Sequence, residues 1–292
     1  MKAFKWLLIF VGLIALVAGV IIIIFAYKNN SFGSPTVTNV HNVEDVFDNI
    51  SLKLSTADLK FEISTDNKCK VTCIEKEKDK HSVKVENNTL VITNERSYHW
   101  YENLFNTSKL SVTVSLPKDS FNDIKIETST GDVSFEKLTL NKLNISCSTG
   151  NAYLNDLNMD SFKFEASTGA LKLKNSNING DIIVDGSTGE VELVKTNAKN
   201  FSAELSTGDV KMTDSIIESN ISINSSTGDV IFKDSDSNTL NIHTSTGDVL
   251  GNLKTPKSFN TKTSTGDIDV PNTEGGSCII QTSTGDIKIS IK

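Results

Sequence analysis

Ser-Thr-Gly occurs nine times in this chain, with its glycine at Gly131, Gly150, Gly169, Gly189, Gly208, Gly228, Gly247, Gly266 and Gly285, always 19 or 20 residues apart. A fixed period of this size means that each copy is one supersecondary unit, able to bury its apolar face only against its neighbours. The chain reads as a stack of repeats.

Aligned on the glycine, the positions seven and five residues earlier carry Ile124 and Ile126, Leu143 and Ile145, Phe162 and Phe164, and so on to Cys278 and Ile280. The positions two and four residues later carry Val133 and Phe135, Leu171 and Leu173, Val210 and Met212, and finally Ile287 and Ile289. Alternation with period two on both sides means two strands per repeat, each with one buried face. The phase slips by one residue across Thr-Gly-Asp, which calls for a corner, and glycine accepts the positive φ or tight bend needed there. The alternation puts Thr on the inward phase and Ser outward, so the hydroxyls are expected to satisfy one another and the turn backbone. Segments such as Lys174-Asn175-Ser176-Asn177 and Asp234-Ser235-Asp236-Ser237 read as a second, looser turn that absorbs the extra residue of the longer copies. Each copy is then one rung of a parallel β-solenoid. Propeller blades need about 40 residues, twice this period.

Before the nine copies, Ser55-Thr56-Ala57-Asp58 repeats the motif with alanine in the glycine position. Alternating stretches follow at 70–74, 82–85, 90–92 and 110–114, and Glu86-Asn87-Asn88-Thr89 reads as a hairpin turn. Residues 44–117 are therefore expected to form a β-rich N-terminal cap that includes a degenerate first repeat, because a solenoid must cover its first rung against strand addition. Residues 118–292 hold the nine-repeat solenoid. Within the cap, Tyr98, Trp100, Tyr101 and Phe105 cluster beside His99. Such aromatics serve a partner surface or close the end of the solenoid, and the burial tendency of large rings favours closure.

From Trp6 to Tyr27 runs a stretch of 22 residues without a charge, flanked by Lys2, Lys5 and Lys28. At about 1.5 Å per residue it spans a hydrocarbon core of about 30 Å. It is too long for the core of a cleaved signal peptide and reads as a transmembrane signal anchor over residues 1–28, followed by a polar tether at 29–43. The lysine bias puts the N-terminus in the cytoplasm and the remainder outside, in a single-pass cell-membrane protein. The expected fold class is thus all-β, with one transmembrane helix, a β-rich cap and a parallel β-solenoid of 19-20-residue rungs.

Removing the three lysines of residues 1–28, which hold no acid, from the net charge of −7 leaves −10 for the rest. That charge argues against nucleic acid as a partner. The cysteines Cys69, Cys73, Cys147 and Cys278 form no metal or redox spacing and are expected to be small buried residues. Cys69 and Cys73 share a strand face too far apart to bridge each other. No motif for nucleophilic, phosphate-loop or metal catalysis is present. A glycan-active β-helix enzyme, the third reading considered, needs converging acids and bases, yet the repeats contain no arginine.

After the glycine, the last five copies carry Asp209, Asp229, Asp248, Asp267 and Asp286. Stacked in register, carboxylates about 5 Å apart repel by about 1 kcal/mol per pair even in water. Either local backbone N–H groups offset this, or a divalent cation such as Ca²⁺ does. Calcium is the only cofactor the sequence suggests.

The anchor, the lead-in ending in Leu110-Ser111-Val112-Thr113-Val114-Ser115-Leu116-Pro117, and the tandem Ser-Thr-Gly-Asp-Val/Ile copies resemble the bacterial putative-adhesin family of β-strand-repeat cell-envelope proteins, over about residues 45–292. The resemblance implies a β-solenoid at the cell envelope, associated with envelope-stress systems, with no catalytic residue to carry over. The expected function is a non-enzymatic, membrane-anchored adhesin-like or envelope-stress-associated scaffold or binding module with a protein or glycan partner. The alternative is a cation-binding protein using the aspartate column. The last copy, residues 285–292, has no further copy after it, so its edge is expected to admit a strand from a partner or a second copy. Lys288 and Lys292 oppose such pairing.

Overall fold

The structure, a computed structural model, describes residues 16–21, 24, 35–94 and 109–292. The described part of the expected anchor, 16–21 and 24, is helical, with Leu16, Val17, Val20, Ile21 and Ile24 exposed. The rest of that stretch lies outside the described residues, and no described helix is long and apolar enough to cross a membrane.

From 120 to 291 the strands stack as parallel rungs, residue on equivalent residue: Ala152 pairs with Leu171, Leu171 with Val191, Val191 with Val210 and Val210 with Val230. The apolar positions read from the sequence form one continuous core, in which Phe135, Phe162, Phe164, Phe201 and Phe232 are fully buried. Each such ring contributes about 1.5–3 kcal/mol relative to exposure. The degenerate copy is a true rung. Asn49–Thr56 pairs with Ser120–Thr130, Asp58–Ile63 pairs with Val133–Thr149, and the Phe61 ring stacks on Phe135 at 4.1 Å.

The glycine column is built by exclusion. Gly150 has φ 154°, and a Cβ there would meet the carbonyl oxygen of Gly131 at 2.0 Å; at Gly208 the contact with Gly189 O would be 1.8 Å. The rungs approach so closely at this corner that no side chain fits between them. The phase slip, however, is not where the alternation put it. Both Ser and Thr of the motif are exposed, as at Ser129 and Thr130, and the last inward residue is the one before them, as at Thr128. The corner thus opens at Ser, and the inward residue serves the turn: Thr128 Oγ1 donates to Thr130 O, Ser225 Oγ to Thr227 O and Thr282 Oγ1 to Thr284 O.

The second turn is not loose. Lys137, Asp156, Asn175, Lys195, Asp214 and Asp234, each six residues after a glycine, all take φ between 49° and 58°. The next residue is buried, and in four consecutive rungs it is Ser176, Thr196, Ser215 and Ser235. Ser215 Oγ accepts the Thr196 N–H at 3.1 Å and donates to Thr213 O and Leu193 O, while Ser235 Oγ accepts the Ser215 N–H. This lock cannot take up an extra residue. The longer copies instead absorb it in a bulge further on, between Ile178 and Ile182 and between Ile217 and Ile221.

At the C-terminal end the rung order departs from chain order. Val230–Thr246 pairs with Gly276–Thr284, and Lys257–Lys262 lies on the far side of that strand. Gly247 donates to Thr284 O and Gly285 to Thr265 O, so the stack runs Gly247, Gly285, Gly266. The last copy is an interior rung and the penultimate copy closes the stack. Composition gives the reason. The Gly285 rung buries Cys278, Ile280, Ile287 and Ile289, whereas the Gly266 rung offers Thr261, Thr263 and Ile268, the last 46% exposed. The polar copy serves as the end cap that a solenoid needs. Gly275 and Gly276 permit the threading, since a Cβ there would meet Pro256 O at 2.0 Å and Asn238 O at 2.1 Å. The free edge at this end therefore belongs to the Gly266 rung, while Ile287–Ile291 has Val249–Leu253 on one side and Ile268–Asp269 on the other.

At the other end, Thr89–Asn94 and Ser111–Leu116 lie parallel to Asn49–Thr56 and Asp58–Ile63 as one further rung. Antiparallel strands cover this cap: Cys69–Lys76 on Ser111–Leu116, His81–Glu86 on Thr89–Asn94 through the Asn87-Asn88 turn, and Thr36–Val43 on Cys69–Lys76, so residues 36–43 of the expected tether are a cap strand whose alternate residues face inward. The aromatic cluster Tyr98, Trp100, Tyr101 and Phe105 falls in the sequence after Asn94 and before Ser111 and lies outside the described residues.

Candidate binding groove

The aspartate column forms a ladder of hydrogen bonds between rungs. Asp209 Oδ1 accepts the Asp229 N–H at 3.0 Å, Asp229 the Asp248 N–H at 2.8 Å, Asp248 the Asp286 N–H at 2.7 Å, and Asp286 the Asp267 N–H at 2.9 Å. A second stretch of the same ladder runs through Asp58, Asp132 and Asn151, separated from the first by Ala170 and Glu190. Asp267 tops the column in the outermost rung. The Asp267 N–H, and then Lys288, hold the Asp286 carboxyl below its ordinary value. Lysines also sit on the column, with Lys211 at 3.2 Å from Asp209. One oxygen of each stacked carboxylate except that of Asp267 thus has a backbone partner, the structural of the two roles the sequence offered.

A groove of about 760 Å³ runs along the rungs beside the glycine corner. Its floor is the last inward position, where the small Thr128, Cys147, Ala166 and Gly186 lie between Leu54 at one end and Leu205 at the other. One wall is the serine column Ser129, Ser148, Ser167, Ser187, Ser206 and Ser226; the other carries Glu127, Ser146, Glu165, Asp185, Glu204 and Asn224. The groove exists because small side chains on the floor leave a channel between two outward-pointing columns, and it repeats at the strand spacing of about 4.8 Å. The hydroxyls of Ser148, Ser167, Ser187 and Ser206 are exposed and take no protein partner among the described residues. This departs from the expected self-satisfied ladder. The buried hydroxyl ladder at the second turn fills that structural role, and period-two alternation alone could not separate the two.

Three of the groove's four acids are partnered by lysines, Asp185 only loosely with Lys163 at 3.9 Å, while Glu204 has no lysine partner among the described residues. Glu127 lies 2.6 Å from Lys125 and 3.4 Å from Lys53, and Glu165 lies 2.7 Å from Lys163. Lys125 holds the Glu127 carboxyl below its ordinary value, the opposite of what a general acid needs. The wall can accept hydrogen bonds and the serines can both donate and accept.

The four cysteines are free and buried, as their spacing suggested. Burial pushes the Cys69 and Cys147 thiols up to about 11 and those of Cys73 and Cys278 to about 12. Of the histidines, His81 is buried against Glu75 in the cap, Nδ1 to Oε2 at 2.5 Å. No sequence motif marks it, since its partner Glu75 lies on the preceding strand.

A family model for Toastrack DUF4097 matches residues 47–250 and 177–292. Among solved structures, a putative adhesin from Bacteroides fragilis is similar at 16% identity and a TM-score of 0.50, over 88% of this chain and 98% of its own. A putative adhesin from Parabacteroides distasonis is similar at 12% identity and a TM-score of 0.49, over 87% and 97%. A putative lipid binding protein from the same organism shows 16% identity and a TM-score of 0.45, over 87% and 97%. No curated protein matches the chain. At these identities the first likeness shows a shared fold.

Proposed function

The chain belongs to the Toastrack DUF4097 family, and from that premise we propose that it is a non-enzymatic, membrane-anchored binding module of the cell envelope that holds an extended glycan along the serine groove. Residues 6–27 tether it to the membrane and the rod projects outside. The observation that carries this reading is the register of exposed, unpartnered serine hydroxyls facing a wall of acceptors over successive rungs. A polymer whose monomer repeat is close to the strand spacing of about 4.8 Å meets the same donors and acceptors at every step. The lowered Glu127 carboxyl and its lysine partner support a binding role over acid catalysis.

The test is retention of the full chain on immobilised insoluble cell-wall glycan, comparing wild type with Ser167→Trp/Ser187→Trp. Both serines are exposed, so the double variant should keep its circular dichroism while its retention falls by about tenfold, a loss of roughly 1.4 kcal/mol. Equal retention of both proteins, or none of either, would overturn the groove assignment.

A further inference from the structure

We propose that Cys73, Glu75 and His81 form a zinc site inside the N-terminal cap, with His41 completing the ligand set. The three side chains are all buried, and one ligand atom from each, a thiol sulfur, a carboxylate oxygen and an imidazole nitrogen, lies within 4.8 Å of the others. It is the one such group among the described residues. Cys73 and Glu75 are two apart on Cys69–Lys76 and so share its inner face, and His81 opens the next strand.

Two further observations point to a ligand. His81 is 2% exposed, and while its Nδ1 meets Glu75 Oε2 at 2.5 Å, its Nε2 is buried with no hydrogen-bond partner. His41 Nε2 is likewise buried and unpartnered. The antiparallel register sets His41 opposite Val71 and Asn39 opposite Cys73, so His41 stands one diagonal step from Cys73 on the same inner face. Diagonal neighbours of this kind lie about 7–8 Å apart at Cα, within reach of long side chains; His41 stands outside the 4.8 Å cluster and would turn its ring inward to bind.

The donor set selects the metal. Thiolate with imidazole favours Zn²⁺ and is wrong for Ca²⁺ or Mg²⁺, which take oxygen. Asn39 Nδ2 donates to Glu75 Oε1 at 2.5 Å, and the His81 N–H donates to Glu75 Oε2 at 2.7 Å. These contacts orient the carboxylate as outer partners orient metal ligands elsewhere. Without an ion, the cap buries a carboxylate and an imidazole where an apolar pair would pack at no loss. With one, the ion adds to the two His81–Glu75 contacts that already link Cys69–Lys76 to His81–Glu86. Three of the four ligands are buried and His41 is half-buried, and a site with all four positions taken by the protein is of the structural kind.

The test loads the full chain with cobalt and with zinc. Wild type should show a thiolate-to-cobalt charge-transfer band, bind one zinc per chain by elemental analysis and melt at higher temperature with zinc than with a chelator. Cys73→Ser should lose the band, and Cys278→Ser, a buried cysteine far from any histidine cluster, should keep it. Glu75→Gln retains the shape of the side chain and should weaken zinc by at least about tenfold, which keeps the proposal testable if Cys73→Ser does not fold. Absence of the band in wild type, its persistence in Cys73→Ser, or unchanged zinc affinity in Glu75→Gln would overturn the site.

Discussion

Each rung turns its backbone at two corners, and the two solve one problem in opposite ways. At the Ser-Thr-Gly corner the rungs close up until the only solution is no side chain, and the carbonyl of one glycine sits where the Cβ of the next would be. At the corner six residues later a side chain is drawn inside instead. The hydroxyls of Ser176, Thr196, Ser215 and Ser235 replace backbone partners between rungs. The first corner recurs in all nine copies, whereas the second starts with buried Leu138 and Leu157 and only then turns to hydroxyls. A steric requirement that every neighbour imposes leaves no choice of residue. A hydrogen-bonding requirement can be met by several side chains.

Breaking the first corner should have the largest effect. Gly208→Ala puts a Cβ 1.8 Å from Gly189 O at a φ of 143°. The backbone must move in two rungs at once, so a loss above about 4 kcal/mol is expected, read as a lower midpoint in urea unfolding. Gly186→Ala is the matched control. Its Cβ would meet Leu205 Cδ2, the end of a movable side chain, at 2.9 Å, and the change should stay within about 1.5 kcal/mol. Equal losses at the two glycines would mean that the glycine column owes nothing to the close approach of the rungs.

Breaking the second corner costs a hydrogen-bond partner instead of a backbone shift. Ser215→Ala strands the buried Thr196 N–H and removes the donor to Thr213 O, for a loss of about 1–3 kcal/mol in the same unfolding assay. Ser148→Ala, at an exposed hydroxyl of the groove wall, should be neutral within about 0.5 kcal/mol. If the two alanine variants unfold alike, the buried ladder is not what holds the second corner.

The contrast also explains what could be read in advance. The glycine register marks the rungs and their inward positions because a tripeptide at fixed spacing needs no partner to be seen, and the degenerate copy at Ala57 shows itself by Ser55-Thr56-Ala57-Asp58 and the alternation around it. Period-two alternation misplaces the Ser-Thr phase by one residue because the corner begins at Ser129 and its equivalents, before the glycine that marks it. The threading of the last two rungs had a legible cue in Gly275-Gly276 and in the polar Thr261 and Thr263, but stacking order is decided by which copy buries more apolar surface, a comparison that alignment in chain order hides. The groove needed the small floor at Ala166 and Gly186 to be seen as a gap between two columns. The cap cluster of Cys73, Glu75 and His81 is brought together across strands, and only Cys73 and Glu75 share a spacing that sequence could show.

The finest distinction lies within the second corner, where the turn residue itself varies. Lys195 has φ 49° and Asn175 has φ 50°. An ordinary L-residue in this left-handed region is strained by about 1–2 kcal/mol, while asparagine tolerates it through local hydrogen bonding. Glycine removes the strain but loses about 0.5–1 kcal/mol of unfolded-chain restriction. Lys195→Gly should therefore stabilise the rod by about 0.5–1 kcal/mol, and Asn175→Gly should leave it unchanged or slightly weaker. Both are read as midpoint shifts under identical conditions. A destabilised Lys195→Gly would show that the lysine contributes at that corner through its side chain, and that the second corner is held from outside as well as from within.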